Sequence, residues 1–197
     1  MALTRGGEIF TFGSDSRGQI GDGRGGIYFN RPSPYKVPGL SGVTAVAAGS
    51  AMSLFLLADG TVRATGLFNT EAEIFSVTLT RVEGLPPVAA IFTGPTAGHA
   101  LALGQDGSPW AWGLNEHGEL GEGTINPIGT TIRGRGKYPP VRVSGLGNIV
   151  AAAAGGHHTL ALGRDGTLWA WGDNWNCQLG LGTKSPAEPS PRPVKIE

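Results

Sequence analysis

The chain has 197 residues, which is enough for one domain with a substantial core. Its 15 basic and 15 acidic side chains cancel, so overall charge favours neither general nucleic-acid binding nor attraction to an anionic membrane. A single cysteine, Cys177, excludes an internal disulfide and a cysteine-based zinc cluster.

No apolar run approaches the roughly 20 residues that a membrane-spanning helix needs. The opening residues, MALTRGGEIF, lack the apolar core of a secretory signal, so we expect a soluble chain whose compartment is left open. The 34 glycines and 14 prolines fall at regular positions between apolar segments, which indicates many turns rather than disorder.

A set of four short elements recurs along the chain. The first is a strand of small residues, seen as VTAVAAG, VAAIFTG and IVAAAAG. The second is an apolar strand of the HTLAL type that runs into an Asp-Gly pair at 59–60, 106–107 and 165–166, with Gly6-Gly7 as a variant. Asp-Gly predicts a two-residue type I′ hairpin turn. A WAWG-type strand and a PVRV-type strand complete the unit.

Alternation along the WAWG strands places Trp110 and Trp112 on one face, and Trp169 and Trp171 likewise. We expect these tryptophans to pack in the core. The small side chains of the alanine-rich strand suit the crowded axis of a ring of blades. Together the elements predict an all-β fold, a β-propeller of four-stranded blades, with a stacked β-solenoid as the alternative.

The strand count predicts about four blades in a single repeat domain, residues 1–197, with units at approximately 1–58, 59–105, 106–164 and 165–197. The alanine-rich strand is missing before the first HTLAL-type strand, so the first blade is expected to lack its inner strand. The ring would then be partial, or be completed by an oligomer or a longer chain. Open repeat ends generally need polar caps, so we expect a homo-oligomer that forms through the chain ends.

One long pattern occurs twice, as GGHHTLALGRDGTLWAWGDNWNCQLGLGT at 155–183 and as GHALALGQDGSPWAWGLNEHGELGEGT at 98–124. The first unit has a weaker copy, GGEIFTFGSDSRGQIGDG, and the second has LFNTEAEIF in place of the G-Q-L-G segment. The pattern resembles the regulator of chromosome condensation family of propeller repeats, over essentially the whole chain. Members of that family usually close a ring of seven blades, and this chain holds about half that number.

No catalytic constellation accompanies the repeats, so we expect a scaffold that binds a protein partner through its loops and is not an enzyme. The resemblance implies an alternative, a regulator of another enzyme. Such a regulator would be a small-GTPase exchange factor, as the family's namesake is, or an inhibitor of a secreted enzyme. General nucleic-acid binding and membrane association are not expected.

One segment, residues 124–140, is longer than a blade needs and carries three basic side chains and one tyrosine without an acid. The first unit has a weaker segment of this kind, and a tryptophan lies between two asparagines in the last. A solvated glycine-rich loop is the simpler interpretation of the long segment, and a recognition loop is the functional one, because arginine, tyrosine and tryptophan are enriched where interfaces concentrate binding energy. The predicted partner-binding residues are Tyr28, Phe29, Arg31, Arg133, Arg135, Lys137, Tyr138 and Trp175.

The histidines favour a structural interpretation. His99 and His158 share one repeat position, which predicts buried rings that hydrogen-bond the backbone of the next turn rather than a metal pair. His117 and His157 have no convincing metal-ligand spacing. Cys177 stands at a glycine position of the other repeats, and the glycine clusters lack the lysine of a phosphate-binding loop. No metal and no cofactor are therefore expected.

Overall fold

The computed structural model of the chain describes residues 1–25, 29–69, 75–126, 136–182 and 190–196. Within these ranges the chain is all β, and no helix is present that could cross a membrane. The strands are β1 (Ala2–Leu3), β2 (Ile9–Ser14), β3 (Asn30–Lys36), β4 (Val43–Ala48), β5 (Met52–Leu57), β6 (Val62–Gly66), β7 (Ser76–Arg81), β8 (Val88–Phe92), β9 (His99–Gly104), β10 (Pro109–Leu114), β11 (Gly136–Arg142), β12 (Ile149–Ala154), β13 (His158–Gly163), β14 (Leu168–Gly172) and β15 (Ser190–Ile196).

Each sheet is one blade, and its antiparallel strands pair in chain order. The first blade is β1–β3, and the second, third and fourth are β4–β7, β8–β11 and β12–β15. The alanine-rich strands β4, β8 and β12 lie at one edge of their sheets and contact one another from blade to blade. The propeller of four-stranded blades and the missing inner strand of the first blade are confirmed. The predicted units begin at the Asp-Gly turns, offset from the sheets, and their bounds stay a prediction.

The Asp-Gly hairpins differ from the predicted two-residue turn. Gly60 has a φ of 80°, whereas Asp59 does not take positive φ. The Gly60 amide donates to the Leu57 carbonyl at 2.9 Å, and Asp59 Oδ1 accepts the Thr61 amide at 2.9 Å. The aspartate thus closes a local turn with its side chain, and glycine alone takes the left-handed position. The type I′ prediction was therefore wrong, because the connection has three residues and ends in a glycine bulge.

The core lies between neighbouring blades. Trp112 of the third blade is fully buried in a cluster with residues of the second blade. Trp171 of the fourth blade packs equivalently with Leu120 and its neighbours in the third. Trp110 and Trp169 flank these two clusters and are half-buried. The predicted facing of the WAWG strands is confirmed, and each tryptophan pair holds one blade against the blade before it.

The loop after the third strand of one blade also provides buried hydrogen-bond acceptors for the next blade. The Glu119 carbonyl, in the GELG segment, accepts the Thr159 hydroxyl at 3.0 Å and the Trp171 indole N–H at 2.7 Å. Gly121 must be a glycine here, since its φ is 66° and a Cβ would lie 2.8 Å from Trp171 Nε1. The loop is therefore seated on the fourth blade by both packing and hydrogen bonding.

The same contact joins the first blade to the second, where Ser53 Oγ donates to the Gln19 carbonyl at 2.8 Å. The second blade has LFNTEAEIF where the others have G-Q-L-G or its variants. Trp112, at the repeat position of Trp171, has no hydrogen-bond partner for its Nε1 among the described residues. Loss of the segment in one blade thus coincides with an indole in the following blade that has no acceptor among the described residues.

We expect Trp171→Phe to destabilise the chain more than Trp112→Phe. Both substitutions remove the same ring volume from a fully buried site, but among the described residues only Trp171 has a hydrogen-bond acceptor. Loss of that bond should cost about 0.5–1.5 kcal/mol, because the Glu119 carbonyl keeps the Thr159 hydroxyl as a donor. Chemical denaturation of the two variants and the wild type measures the difference. Equal losses of unfolding free energy in the two variants, or a larger loss for Trp112→Phe, would contradict the assigned hydrogen bond. Truncation of either tryptophan to alanine should lower the free energy of unfolding by about 3–5 kcal/mol.

Candidate functional site

Antiparallel pairing sends alternate connections of each blade to opposite sides of the propeller. The turns between first and second strands and the long connections between third and fourth strands share one side, which we call the loop face. The described residues of the loop face include 15–25, 49–51, 93–98, 115–126, 155–157 and 173–182. The predicted partner-binding residues come from the long connections or from the strands that follow them. Tyr28, Arg133 and Arg135 lie outside the described residues.

Phe29 and Arg31 line a cleft of about 250 Å³ in the first blade, together with Asp22. Arg31 forms an ion pair with Asp22 at 2.7 Å, and its guanidinium carbon lies 4.4 Å from the centre of the Tyr35 ring. Phe29 is 50% exposed. The structure therefore holds Arg31 as a neutralised cation and leaves the face of Phe29 open to a partner.

Lys137 and Tyr138 of the third blade make contacts within the propeller. Lys137 forms an ion pair with Glu122 of the preceding loop. The Tyr138 hydroxyl accepts the Glu83 amide at 3.1 Å, and its ring packs edge-on against Phe68 with centroids 5.8 Å apart. Since Glu83 and Phe68 belong to the second-blade region, Tyr138 joins two blades. A role for either residue in binding a partner stays a prediction.

Trp175 is 70% exposed, the largest exposed fraction among the large apolar side chains of the described residues. The loop that carries it is held in place by its own side chains. The Trp175 amide donates to Asp173 Oδ1 at 2.9 Å, and the Leu179 amide donates to Asn174 Oδ1 at 3.1 Å. Cys177 has a φ of 61°, which fits its position at a glycine of the other repeats. The loop thus presents an aromatic ring on an ordered backbone.

Sequence reasoning missed a cluster of an acid and two histidines where the third and fourth blades meet. Glu119 is fully buried, and its carboxylate accepts the His117 amide at 2.8 Å and the His157 Nδ1–H at 3.1 Å. Gln19 and Gln178, at the same repeat position, accept the equivalent backbone amide in their own loops. The signal in the sequence was the acid at this glutamine position, because a buried carboxylate needs a further donor.

Burial and hydrogen bonding oppose each other in this cluster. Desolvation is the largest influence on Glu119 and acts to raise the pKa of its carboxyl, but the bonds from His157 and the backbone lower that pKa overall. The bond to Glu119 in turn raises the pKa of His157, against desolvation of its ring. Glu119 is therefore ionised at neutral pH, and His157 takes up a proton more readily than an ordinary histidine.

His99 is buried as predicted, but its partner is a side chain of the next blade and not backbone. Its Nε2 lies 2.8 Å from Thr159 Oγ1, whose hydroxyl donates to the Glu119 carbonyl. Because the single hydroxyl proton is used there, Nε2 of His99 carries the proton and donates to Thr159. Desolvation lowers the pKa of His99 to about 4, so the ring is neutral. His158, at the same repeat position, is half-buried and also has a pKa lowered by desolvation.

We expect acid to destabilise the chain through His99. Between its ordinary pKa of 6.5 and a folded-state pKa of about 4, the unfolded chain binds a proton at His99 that the folded chain does not. The free energy of unfolding should therefore fall as the pH falls through this window, by up to about 3 kcal/mol. His158 acts in the same direction, because its pKa is also lowered. His157 acts in the opposite direction: its protonated ring pairs with Glu119, and the stability from this pairing is lost as the pH rises through the raised pKa of His157.

His99→Met isolates this contribution, because Met52 occupies the same repeat position in the second blade. Denaturant unfolding of wild type and variant at several pH values between 7.5 and 4.5 measures it. The wild type should lose stability more steeply than the variant on acidification. Parallel pH profiles would show that His99 is not the responsible group.

The model of the regulator of chromosome condensation (RCC1) repeat matches residues 6–56, 106–162 and 165–197. The chain is 38% identical to human Protein RCC2 over 109 residues, which cover 54% of this chain and 19% of that protein. It is 31% identical to the human probable E3 ubiquitin-protein ligase HERC6, over 95% of this chain and 18% of that protein. Protein pim1 of Schizosaccharomyces pombe is 28% identical, over 92% of this chain and 36% of that protein. The chain therefore spans well under half of these relatives.

Two solved structures have the same architecture. Prp20p from Saccharomyces cerevisiae superposes with a TM-score of 0.78 at 22% identity, over 99% of this chain and 47% of that one. Human WBSCR16 superposes with a TM-score of 0.75 at 25% identity, over 98% of this chain and 48% of that one. The arrangement of blades described above is thus shared with known propellers of this repeat.

Proposed function

Because the chain belongs to the regulator of chromosome condensation repeat family, we propose that it is a non-enzymatic scaffold that binds a protein partner through its loop face. The observation that carries this proposal is Trp175, 70% exposed on a loop whose backbone is held by Asp173 and Asn174. An exposed aromatic ring on a preorganised loop contributes contact area with little loss of conformational entropy on binding.

Charge on the loop face favours a protein partner over nucleic acid. Arg31 and Lys137, near the starts of the strands that follow two long loops, are ion-paired to the loop-face residues Asp22 and Glu122. Binding to a phosphate backbone depends on several cations that can replace counterions, and these two are already neutralised. The chain as a whole has a formal net charge of zero, which gives the same indication.

Relatives with this fold bind proteins. Prp20p has binding properties to Gsp1p and histones, and yeast RCC1 (Prp20) is seen bound to Kap60. Binding of Prp20p to Gsp1p favours a second candidate for this chain, regulation of a small GTPase by nucleotide exchange. The proposed contact residues are Trp175 and Phe29 first, and then Tyr28, Arg31, Arg133, Arg135, Lys137 and Tyr138.

We expect Trp175→Ala to weaken partner binding on the order of 10-fold or more, because tryptophan truncations at interface centres commonly cost about 2 kcal/mol or more. Phe12→Ala is the matched control, since Phe12 is 48% exposed on β2, outside the long loops. Immobilised wild type and both variants are compared for the proteins they retain from an extract of the source organism, and the retained protein is then titrated against each purified chain.

The proposal is supported by a protein that the wild type and the Phe12→Ala variant retain and that the Trp175→Ala variant does not. Equal retention by all three chains, or none by the wild type, would contradict binding through this loop. Release of labelled nucleotide from a small GTPase of the same organism tests the second candidate. Acceleration of that release by the wild type, abolished by Trp175→Ala, would identify the partner class as a GTPase and replace the plain scaffold role.

The face of the fourth blade that points away from the third blade supports the proposed oligomer. A shallow apolar depression of about 170 Å³ there is lined by residues of β12, β13 and β14, including Ala152, Leu160 and Leu168. Leu168 is 47% exposed, whereas Val62, at the same register position of the second blade, is 1% exposed because the third blade covers it. We propose that a second copy of this chain covers the fourth blade in the same way.

The 197-residue chain should therefore be larger than a monomer in solution, and Leu168→Lys should shift it towards the monomer. A charge at this position cannot be buried against an apolar partner without a large desolvation cost. Light scattering over a range of concentrations measures the mass, with Phe12→Lys as a control at an exposed apolar residue elsewhere. A wild type that stays monomeric at high concentration would refute association through this blade.

A further inference from the structure

Three side chains with metal-binding atoms meet on the loop face where the third and fourth blades adjoin. The ligand atoms of Glu116, His117 and His157 all lie within 4.8 Å of one another. The rings of His117 and His157 have centroids 4.7 Å apart and planes at 69°. Spacing along the chain predicted no metal site, because the two histidines are brought together only by the packing of one blade on the next. We propose that these three residues form a binding site for Zn²⁺.

The donor set is the first reason to assign this metal. Two imidazoles and one carboxylate are the protein ligands of many zinc sites that leave a fourth position to water or another group. The surroundings are also acidic, since the buried Glu119 carboxylate lies 3.1 Å from His157 Nδ1. A site with these neighbours attracts a cation and repels an anion.

The buried acid beneath the site is the second reason. Glu119 is fully buried, and its Oε1 accepts a hydrogen bond from His157 Nδ1–H, with the two atoms 3.1 Å apart. This bond leaves Nε2 as the ring atom of His157 that can bind a metal ion. Carboxylates commonly orient metal-binding histidines in this way and increase their basicity. The same carboxylate accepts the His117 amide at 2.8 Å, so one residue positions both histidine-bearing segments.

The change needed to close the site is small. Ligand atoms at about 2.0–2.1 Å from a tetrahedral zinc ion stand roughly 3.3 Å apart, so the longest separation must shorten by about 1.5 Å. The His157 side chain is 48% exposed, and Glu116 and His117 are only partly buried, so an ion can reach the three side chains from solvent. The backbone is already held, with the His157 carbonyl accepting the Asp173 amide at 2.8 Å. We therefore assign the closing movement to the side chains rather than to the backbone.

The test is titration of the tag-free, chelator-treated chain with Zn²⁺ alone, followed by calorimetry, and with Co²⁺, whose visible absorption reports the ligands. We expect one zinc ion per chain, with binding abolished by His157→Ala and by His117→Ala. His158→Ala is the matched control, because His158 is adjacent in the chain but not among the three ligands, and it should bind like the wild type. Glu119→Gln, which restores the residue of the other repeats, should weaken binding about 10-fold without loss of the folded state.

Circular dichroism and a thermal melt of each variant accompany the titrations, so a variant that does not fold is recognised. If His157→Ala does not fold, loss of zinc binding in His117→Ala and weaker binding in Glu119→Gln test the site in its place. Binding that persists unchanged in His117→Ala, that is lost in a folded His158→Ala, or that needs millimolar zinc and shows no defined stoichiometry would overturn the assignment. Since the loop-face scaffold does not require a metal, failure here is distinct from failure to bind a protein partner.

Discussion

Two of the three junctions between blades depend on one type of contact, in which a backbone carbonyl in the loop of one blade accepts hydrogen bonds from strands of the next. Between the third and fourth blades this carbonyl belongs to Glu119, and its donors are Thr159 and Trp171. Between the first and second blades it belongs to Gln19, and the donor is Ser53. Buried polar groups of this kind must be paired, so each loop can occupy only the position that its neighbouring blade provides. The loop and the next blade are thus ordered together.

This constraint explains how the same loops can hold the blades and also display binding residues. In the first and third blades the G-Q-L-G end of the loop lies under the next blade, while the part before it remains at the surface. Trp175 is exposed only a few residues before Leu179, which is buried. In the third blade the buried end carries Glu119, and the surface part carries His117. The proposed zinc site therefore rests on backbone that a blade contact fixes, whereas the Trp175 loop of the last blade is held by its own Asp173 and Asn174 side chains.

Strand order and the burial of Trp112 and Trp171 could be predicted because both follow from periodicity within one repeat. The turn type at Asp59 could not, since the side-chain bond from Asp59 to the Thr61 amide competes with the backbone preference that Asp-Gly usually indicates. The partner of His99 could not be predicted either. Thr159 is 60 residues away along the chain, and the pairing exists only across two packed blades. The cluster at Glu119 escaped prediction for the same reason.

Amide hydrogen exchange in a Thr159→Val variant tests most directly whether the next blade holds the loop. The substitution keeps the shape of the side chain and removes two bonds of its hydroxyl, the one donated to the Glu119 carbonyl and the one accepted from His99. We expect faster exchange at the Leu120 and Gly121 amides, which are bonded within the loop, with protection in β5 of the second blade unchanged. Unchanged protection of the loop, or an equal loss in β5, would contradict a loop held in place by its neighbouring blade.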